Sequence, residues 1–505
     1  MSYDDNKHID FALPDAIKDF IFDMHDATRR SLRVEDVQTL YDSKFKEITE
    51  KYFSQGSWPS AQTVASECGD DYVFLLFYRE LTMRQYFSKL KQIPLNLYLE
   101  SWSNYNRLFN ILLSTQDPYF IKLTTQWAYD IVQEFVYQFQ SFCQFRAQVG
   151  ARSEEDLHTM EANKDAWSMP IVSNLLSSMI RMASGTAHDS VHSLVGYFCT
   201  IELGRLECLL ADYTASLDAI SGIRLSDQGE MFSQVPTCHV NIFYHAGVSM
   251  IMLRRYADAI DTFSHIILHI SRVLKPGASV LKAGVQGQHQ KMLDKMVSLA
   301  AIAMCLCPGH RVDDQVADTI SSKCSDKLRR LRVGDIAAFE DMFESACPKF
   351  ISPTVPDSAG GSTIHDAIRA QVHIFMTEAK QQMSLLHLRS YLRLYSSIEL
   401  SKLARFNDVS EEELVALLLS SSHKNRQVRG CGGQLSLDSS APAVGTSSAP
   451  SPVSDVSFRI QDGYLIIDHA KESGPSSTER FFLSGIRKNA EFATDLDRIF
   501  RPYNM

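Results

Sequence analysis

The chain has 505 residues, of which 45% are hydrophobic and 22% charged, and a formal net charge of −10. That composition is ordinary for globular chains and leaves material for roughly two to four domains. The acidic balance speaks against a surface built throughout for nucleic acid, although a local basic face stays open. Ten cysteines form no framework, and the only close pair, Cys305 and Cys307, lacks the spacing of a redox or zinc CxxC. Buried reduced thiols in a cytoplasmic chain are the expectation.

The opening MSYDDNKHIDFALPD is acidic and lacks the basic-then-apolar order of a secretory signal. The run VFLLFY, Val73 to Tyr78, is too short to span a bilayer, so no membrane partner is expected. YVFLLFYRELTMRQYF, LYLESWSNYNRLFNILL and TTQWAYDIVQEFVYQFQSFCQFR carry apolar residues three and four apart. Residues 1–150 therefore read as an N-terminal helical region. The aromatic density of EFVYQFQSFCQF fits helix packing, with partner contact as the alternative.

Residues 151–390 read as helical repeats. YTASLDAISGI starts at Tyr213 and YADAIDTFSHI at Tyr256, an offset of 256 − 213 = 43 residues. Leu217 then matches Ile260, Ile220 matches Phe263 and Ile223 matches Ile266. Tyr256, Ile260, Phe263, Ile267 and Ile270 form one apolar face. In the helix before it, VNIFYHAGVSMIMLRR, Gly247 lets a neighbour approach closely, as in tetratricopeptide-like pairs. His188/His192 and His265/His269 have a spacing that could place two zinc ligands on one helix face. Nothing nearby completes a site, and His265 and His269 fall two residues past the apolar stripe, so ordinary helix histidines are expected. The densest basic run, Lys327, Arg329, Arg330 and Arg332 in KLRRLR, reads as a solvated helix face or a contact for RNA or an acidic partner.

Residues 391–470 read as a winged helix. SIELSKLARF gives a first helix and NDVS a turn. Ser410 with Glu413 forms a capping box that starts the second helix at SEEE. Gly430 to Asp455 has no Lys or Arg and is dominated by Ser, Gly, Ala and Pro, the composition of a flexible insertion. VSFRIQDGYLIIDH then gives a two-stranded hairpin, Val456, Phe458 and Ile460 alternating with Arg459 before the Asp462-Gly463 turn. Residues 476–505 form a last helix with Phe482, Ile486 and Leu496 on one face.

A DNA-reading helix needs donors in its first turn, and this one opens on Glu411, Glu412 and Glu413, which would repel phosphate. The remainder, LVALLLS, suits a helix buried against its neighbours. Lys424 and Arg426 follow beyond it, where weak contact with RNA or an acidic partner is the most to be expected. No DNA partner is predicted, and the winged helix is read as a protein-docking part through Val456, Phe458, Arg459, Ile460, Tyr464, Ile466, Phe482 and Leu496. There is no GxxxxGK[ST], GxSxG, HExxH or His-x-His motif, so neither an enzyme, a metal nor a cofactor is expected.

Helical repeats ending in a winged helix resemble the PCI module shared by the proteasome lid, the COP9 signalosome and eukaryotic translation initiation factor 3. Gln126 to Arg146, Met252 to Ile270 and Cys347 to Pro356 resemble, in order, the corresponding stretches of the subunit L family of the initiation factor. The resemblance implies a non-catalytic scaffold on the small ribosomal subunit, pairing through its winged helix, with subunits K and E as neighbours. A PCI scaffold of another assembly, such as the proteasome lid, is the alternative.

Overall fold

A computed structural model describes residues 14–29, 33–54, 56–69, 71–114, 123–185, 191–225, 229–274, 283–307, 310, 312–354, 365–428, 450–452, 456–469, 486, 489 and 492. Those residues fall into two compact units, one up to Ala379 and one from Lys380 onward. The fold is mainly α: helical repeats, then a winged helix with a small sheet.

The first unit opens with α1 (Asp15–Arg29), α2 (Val34–Thr39), α3 (Phe45–Tyr52), α4 (Ala61–Cys68), α5 (Tyr72–Lys89) and α6 (Leu95–Leu112). Asp71 starts α5 by accepting from the amides of Val73 and Phe74 at 3.1 and 3.3 Å. α7 (Thr125–Ala147) is capped by Thr124 and runs through the centre of this region with Trp127, Phe135 and Phe139 fully buried. Between α5 and α7 lies a buried ionic network. Arg84 meets Glu80 at 2.5 Å and Asp130 at 3.6 Å, and it donates to the hydroxyl of Tyr41, which itself donates to Asp130. Burial pushes the nearby Glu134 carboxyl up to about 7 against the pull of Arg84.

Then come α8 (Glu154–Ala162), α9 (Met169–Ala183), α10 (Val191–Leu209), α11 (Tyr213–Ala219), α12 (Met231–Gln234), α13 (Pro236–Met252) and α14 (Tyr256–Val273). The 43-residue repeat holds in backbone detail. Ala211 and Arg254 both take positive φ, 67° and 62°, at the turns joining α10 to α11 and α13 to α14. The amides of Ala211 and Asp212 donate to Cys208 and Glu207, and those of Arg254 and Arg255 donate to Ile251 and Met250, the same pattern 43 positions on. Gly204 and Gly247 are likewise related, each facing the matched residue of its partner helix, Ile220 and Phe263.

α15 (Ala283–Leu306), α16 (Asp314–Val333) and α17 (Ile336–Ala346) follow. Residues 347–354, part of the stretch that carries the family resemblance, form an extended strap over earlier helices. The amide of Ile351 donates to the Leu209 carbonyl, Gln140 donates to Lys349, Arg146 to Pro353 and Tyr244 to Ala346. Helices α7 and α10 thus partner backbone groups of the strap, Tyr244 of α13 holds the end of α17 that leads into it, and Phe350 and Ile351 bury their side chains.

The second unit takes the C-terminal turns of α18 (Asp366–Leu394), then β1 (Ser397–Glu399), α19 (Leu400–Phe406) and α20 (Glu411–Asn425). After α20 come β2 (Arg426–Val428), β3 (Pro450–Pro452), β4 (Val456–Gln461) and β5 (Tyr464–His469). The capping box of α20 is present in both directions: Glu413 N donates to Ser410 Oγ at 3.2 Å and Ser410 N to Glu413 Oε2 at 3.1 Å. Two expectations fail here. Ser397–Glu399 is not the first turn of a helix but a strand, pairing with Tyr464 to Ile466, so the sheet has three strands in the order β1-β5-β4. β5, paired on both sides, is its central strand. The apolar run of α20 is also not buried all round: Leu414 and Leu418 enter the core, whereas Leu419 is 56% exposed.

Of the expected insertion only Pro450–Pro452 is described, and it pairs with Arg426–Val428, so Arg426 lies in a short ribbon. The rest of that insertion lies outside the described residues, as do Phe482 and Leu496 and the side chains of Val456, Lys424 and Arg426. Ile486 is helical and 63% exposed.

Candidate protein-docking site

The sheet of the winged helix brings together the expected docking residues that are described. Asp462 and Gly463 both have positive φ, 51° and 76°, the type I′ geometry of a two-residue hairpin turn. Such a turn is closed by a hydrogen-bonded pair, here Gln461 opposite Tyr464. Alternation then makes Arg459 and Ile466 a bonded pair and leaves Phe458 and Ile460 opposite Ile467 and Leu465 in non-bonded pairs. The other side of β5 agrees, since Ile467 N donates to Ser396 O at 2.9 Å, away from β4. The amides and carbonyls of Val456, Phe458 and Ile460 therefore point outward, where no strand pairs with β4 among the described residues.

The two faces of the sheet divide the side chains. Leu465 and Ile467 are buried, with Phe458 and Ile460 packed beside them. Arg459 is exposed, Ile466 half-buried and Tyr464 51% exposed, all on the opposite face. The expected docking residues thus split into a core-facing set, Phe458 and Ile460, and an outward set, Arg459, Tyr464 and Ile466. What docking the hairpin supports rests on backbone polarity at the β4 edge and on that outward face.

The basic run lies on α16 with Lys327, Arg329, Arg330 and Arg332 exposed, while Leu328 and Leu331 are buried beneath. Lys424 lies in α20, on an element whose first turn is acidic.

The histidines are packed differently from the expectation that His265 and His269 sit off the buried face. Both are half-buried, because α13 and α15 reach over them. His239 of α13 lies 4.3 Å, ring centroid to centroid, from His269, and His265 stacks on Phe243 at 5.3 Å. Among nearby groups His289 of α15 is buried, its Nδ1 against the Val285 carbonyl at 2.9 Å. His239 Nε2 and His265 Nδ1 have no hydrogen-bond partner. Burial, reinforced by His269, His265 and His289, drives His239 down to about 3. Burial also lowers His265 and His269. Reading along one helix missed His239 and His289, which lie on other helices. His188 lies outside the described residues. Among the described residues no group of three or more His, Cys, Asp or Glu side chains is arranged to hold a metal ion, and no helix is long and apolar enough to cross a membrane.

Residues 98–489 match the family described as Paf67, RNA polymerase I-associated factor PAF67. The chain is similar to eukaryotic translation initiation factor 3 subunit L of Nematostella vectensis, 32% identical over 510 residues that cover 97% of this chain and 94% of that protein. It is 33% identical to subunit L of Danio rerio over 423 residues, 79% of this chain and 73% of that one. Subunit L of Homo sapiens is 33% identical over 425 residues, covering 79% and 74%.

Proposed function

We propose, from the premise that this chain belongs to the family of subunit L of eukaryotic translation initiation factor 3, that it is a non-catalytic scaffold of that factor. It acts in the cytoplasm during assembly of the initiation complex on the small ribosomal subunit, with subunits K and E beside it. Its helical repeats supply extended surface and its winged helix supplies the joint.

The observation that carries the scaffold reading is the edge of β4, with which no strand pairs among the described residues. A strand of a neighbouring subunit added there would satisfy the outward backbone groups of Val456, Phe458 and Ile460, and the outward face with Arg459, Tyr464 and Ile466 would select the neighbour. Backbone pairing gives strength and needs no reactive group, in keeping with a joint rather than a catalytic centre.

Affinity purification of the tagged full-length chain, followed by mass spectrometry, tests this. Initiation-factor subunits, with K and E most enriched, and small-subunit ribosomal proteins are the expected companions. Recovery of proteasome-lid components in their place would overturn the reading in favour of another PCI assembly.

A further inference from the structure

The sheet of the winged helix has two edge strands, and they are finished differently. β1 is three residues long, carries exposed Ser397 and Glu399, and runs straight into α19 at Leu400. A very short strand bearing a charge is one way in which a sheet edge is closed. β4 is six residues long and reads VSFRIQ. It has no proline, it pairs with β5 residue for residue without a bulge, and its one charge, Arg459, lies on the outward face. Along β4 the usual guards against strand addition are missing.

The core beneath β4 is also incomplete. Ile398, Leu465 and Ile460 stand in one row across β1, β5 and β4. Ile398 is 4% exposed and Leu465 fully buried, whereas Ile460 is half-buried. Half-buried Phe458 shows the same step beside Ile467, which is 5% exposed. The apolar layer thus thins out at the edge where the backbone groups of Phe458 and Ile460 also point outward. Residues side by side across a ladder place their side chains on the same face. In a strand laid along β4, the residues opposite Phe458 and Ile460 would therefore face the core. Those between them would lie with Arg459, on a face that also carries Glu399 and so asks for no particular charge.

We propose that β4 accepts a strand of a protein partner whose side chains opposite Phe458 and Ile460 are both large and apolar, an alternating strand that completes the core of the winged helix. Resting on the reading of the wing as a joint, this adds a buried row to the outward face as what selects the neighbour.

The test uses the tagged full-length chain purified with its neighbouring subunits. Ile460→Thr keeps strand propensity but sets a hydroxyl in the row, whereas Ile460→Val keeps the row apolar. Ile460→Thr should lower recovery of the neighbour about threefold or more, with Ile460→Val close to native. If Ile460→Thr pairs like the native chain while Val456→Pro does not, the backbone joint stands and the apolar row is overturned. If Val456→Pro also pairs normally, the joint itself falls and the partner strand with it. Amide hydrogen exchange of the native chain, alone and in the assembly, gives a second readout that does not depend on how a variant folds. The amides of Phe458 and Ile460 should exchange freely in the isolated chain and slowly in the assembly, while the ladder amide of Arg459 is slow in both. Protection of Phe458 and Ile460 already in the isolated chain would show another segment of this chain on the edge. That result, or free exchange in both states, would overturn the proposal.

Discussion

Phe263 of α14 occupies the space where a side chain at Gly247 of α13 would stand: a Cβ there would lie 2.4 Å from Cζ of the ring. Gly204 meets Ile220 in the same way one repeat earlier, with Cγ2 at 2.7 Å. Since Phe263 is fully buried, the ring cannot swing clear without disturbing the pair. Gly247→Ala should therefore cost about 1–3 kcal/mol in urea denaturation, by overpacking. Gly287 of α15 has open space around it. Gly287→Ala should instead stabilise by about 0.5–1 kcal/mol, through the helix propensity of alanine. Equal effects at the two positions would rule out close approach as the role of Gly247.

The histidine cluster predicts an acid-sensitive contribution. His239 has a folded-state value of about 3 against an ordinary 6.5, so the folded state favours the neutral ring. Its stabilising contribution is fully present above 6.5 and is lost as pH falls through 6.5 toward 3. Between pH 7.5 and pH 5 that loss is about 2 kcal/mol. Glu134, raised to about 7, acts the other way: its contribution is present below the ordinary carboxylate value and is lost as pH rises through 7. The two partly cancel in the whole-protein profile, so the difference between variants is the informative quantity. His239→Asn, which takes up no proton in this range, should narrow its stability gap from the native chain steadily from pH 7.5 to pH 5. A gap independent of pH would show that His239 is protonated at no cost in the fold.

Removing Arg84 should be severe. Glu80 is fully buried, and its Oε2 already has no hydrogen-bond partner. Without the guanidinium, Glu80, Asp130 and Glu134 would share a site with no cation. Arg84→Met should cost about 3–5 kcal/mol, while adding Glu80→Gln should recover part of it. Thermal unfolding of the two variants measures this, and a double variant less stable than the single one would contradict it.

At the wing, the alternation of bonded and non-bonded pairs separates two proline variants. The Arg459 amide belongs to the β4–β5 ladder, so Arg459→Pro breaks the hairpin itself. The Val456 amide points outward at the start of the strand, a position where proline is tolerated. Val456→Pro should leave the thermal transition of the isolated chain nearly unchanged yet lower co-purification with neighbouring subunits. The proposed joint is wrong if Val456→Pro assembles like the native chain. Lys424→Glu with Arg426→Glu should leave subunit pairing intact.

The features legible in the sequence were those fixed by neighbours along the chain. Ser410 and Glu413 are three apart and cap each other, and Asp462-Gly463 supplies its own turn conformation. The 43-residue offset between Tyr213 and Tyr256 is a comparison of the sequence with itself. What escaped depends on distant partners. Ser397–Glu399 becomes a strand because Tyr464 to Ile466, far along the chain, offers it an edge, and local helix pattern carries no trace of that offer. His239 joined His269 only once two helices packed, and the glycine at 204 gained meaning only when its counterpart at 247 was seen against Phe263. The alternation of Val456, Phe458 and Ile460 marks a strand, but which of its amides face outward required the register.

The strap has a consequence in time. Arg146 and its acceptor, the carbonyl of Pro353, are 207 residues apart. At about 5–20 residues per second, a ribosome that has just made Arg146 needs about 10–40 seconds to supply that carbonyl. Lys349, which offers its carbonyl to Gln140, arrives only moments earlier. Throughout that interval the C-terminal turns of α7 must keep their polar groups in water, and the surface that Phe350 and Ile351 will cover stays bare. The emerging chain is therefore sticky in the middle of its own synthesis, and a chaperone that shields α7 until the strap is laid down would have a defined place to hold and a defined moment to let go.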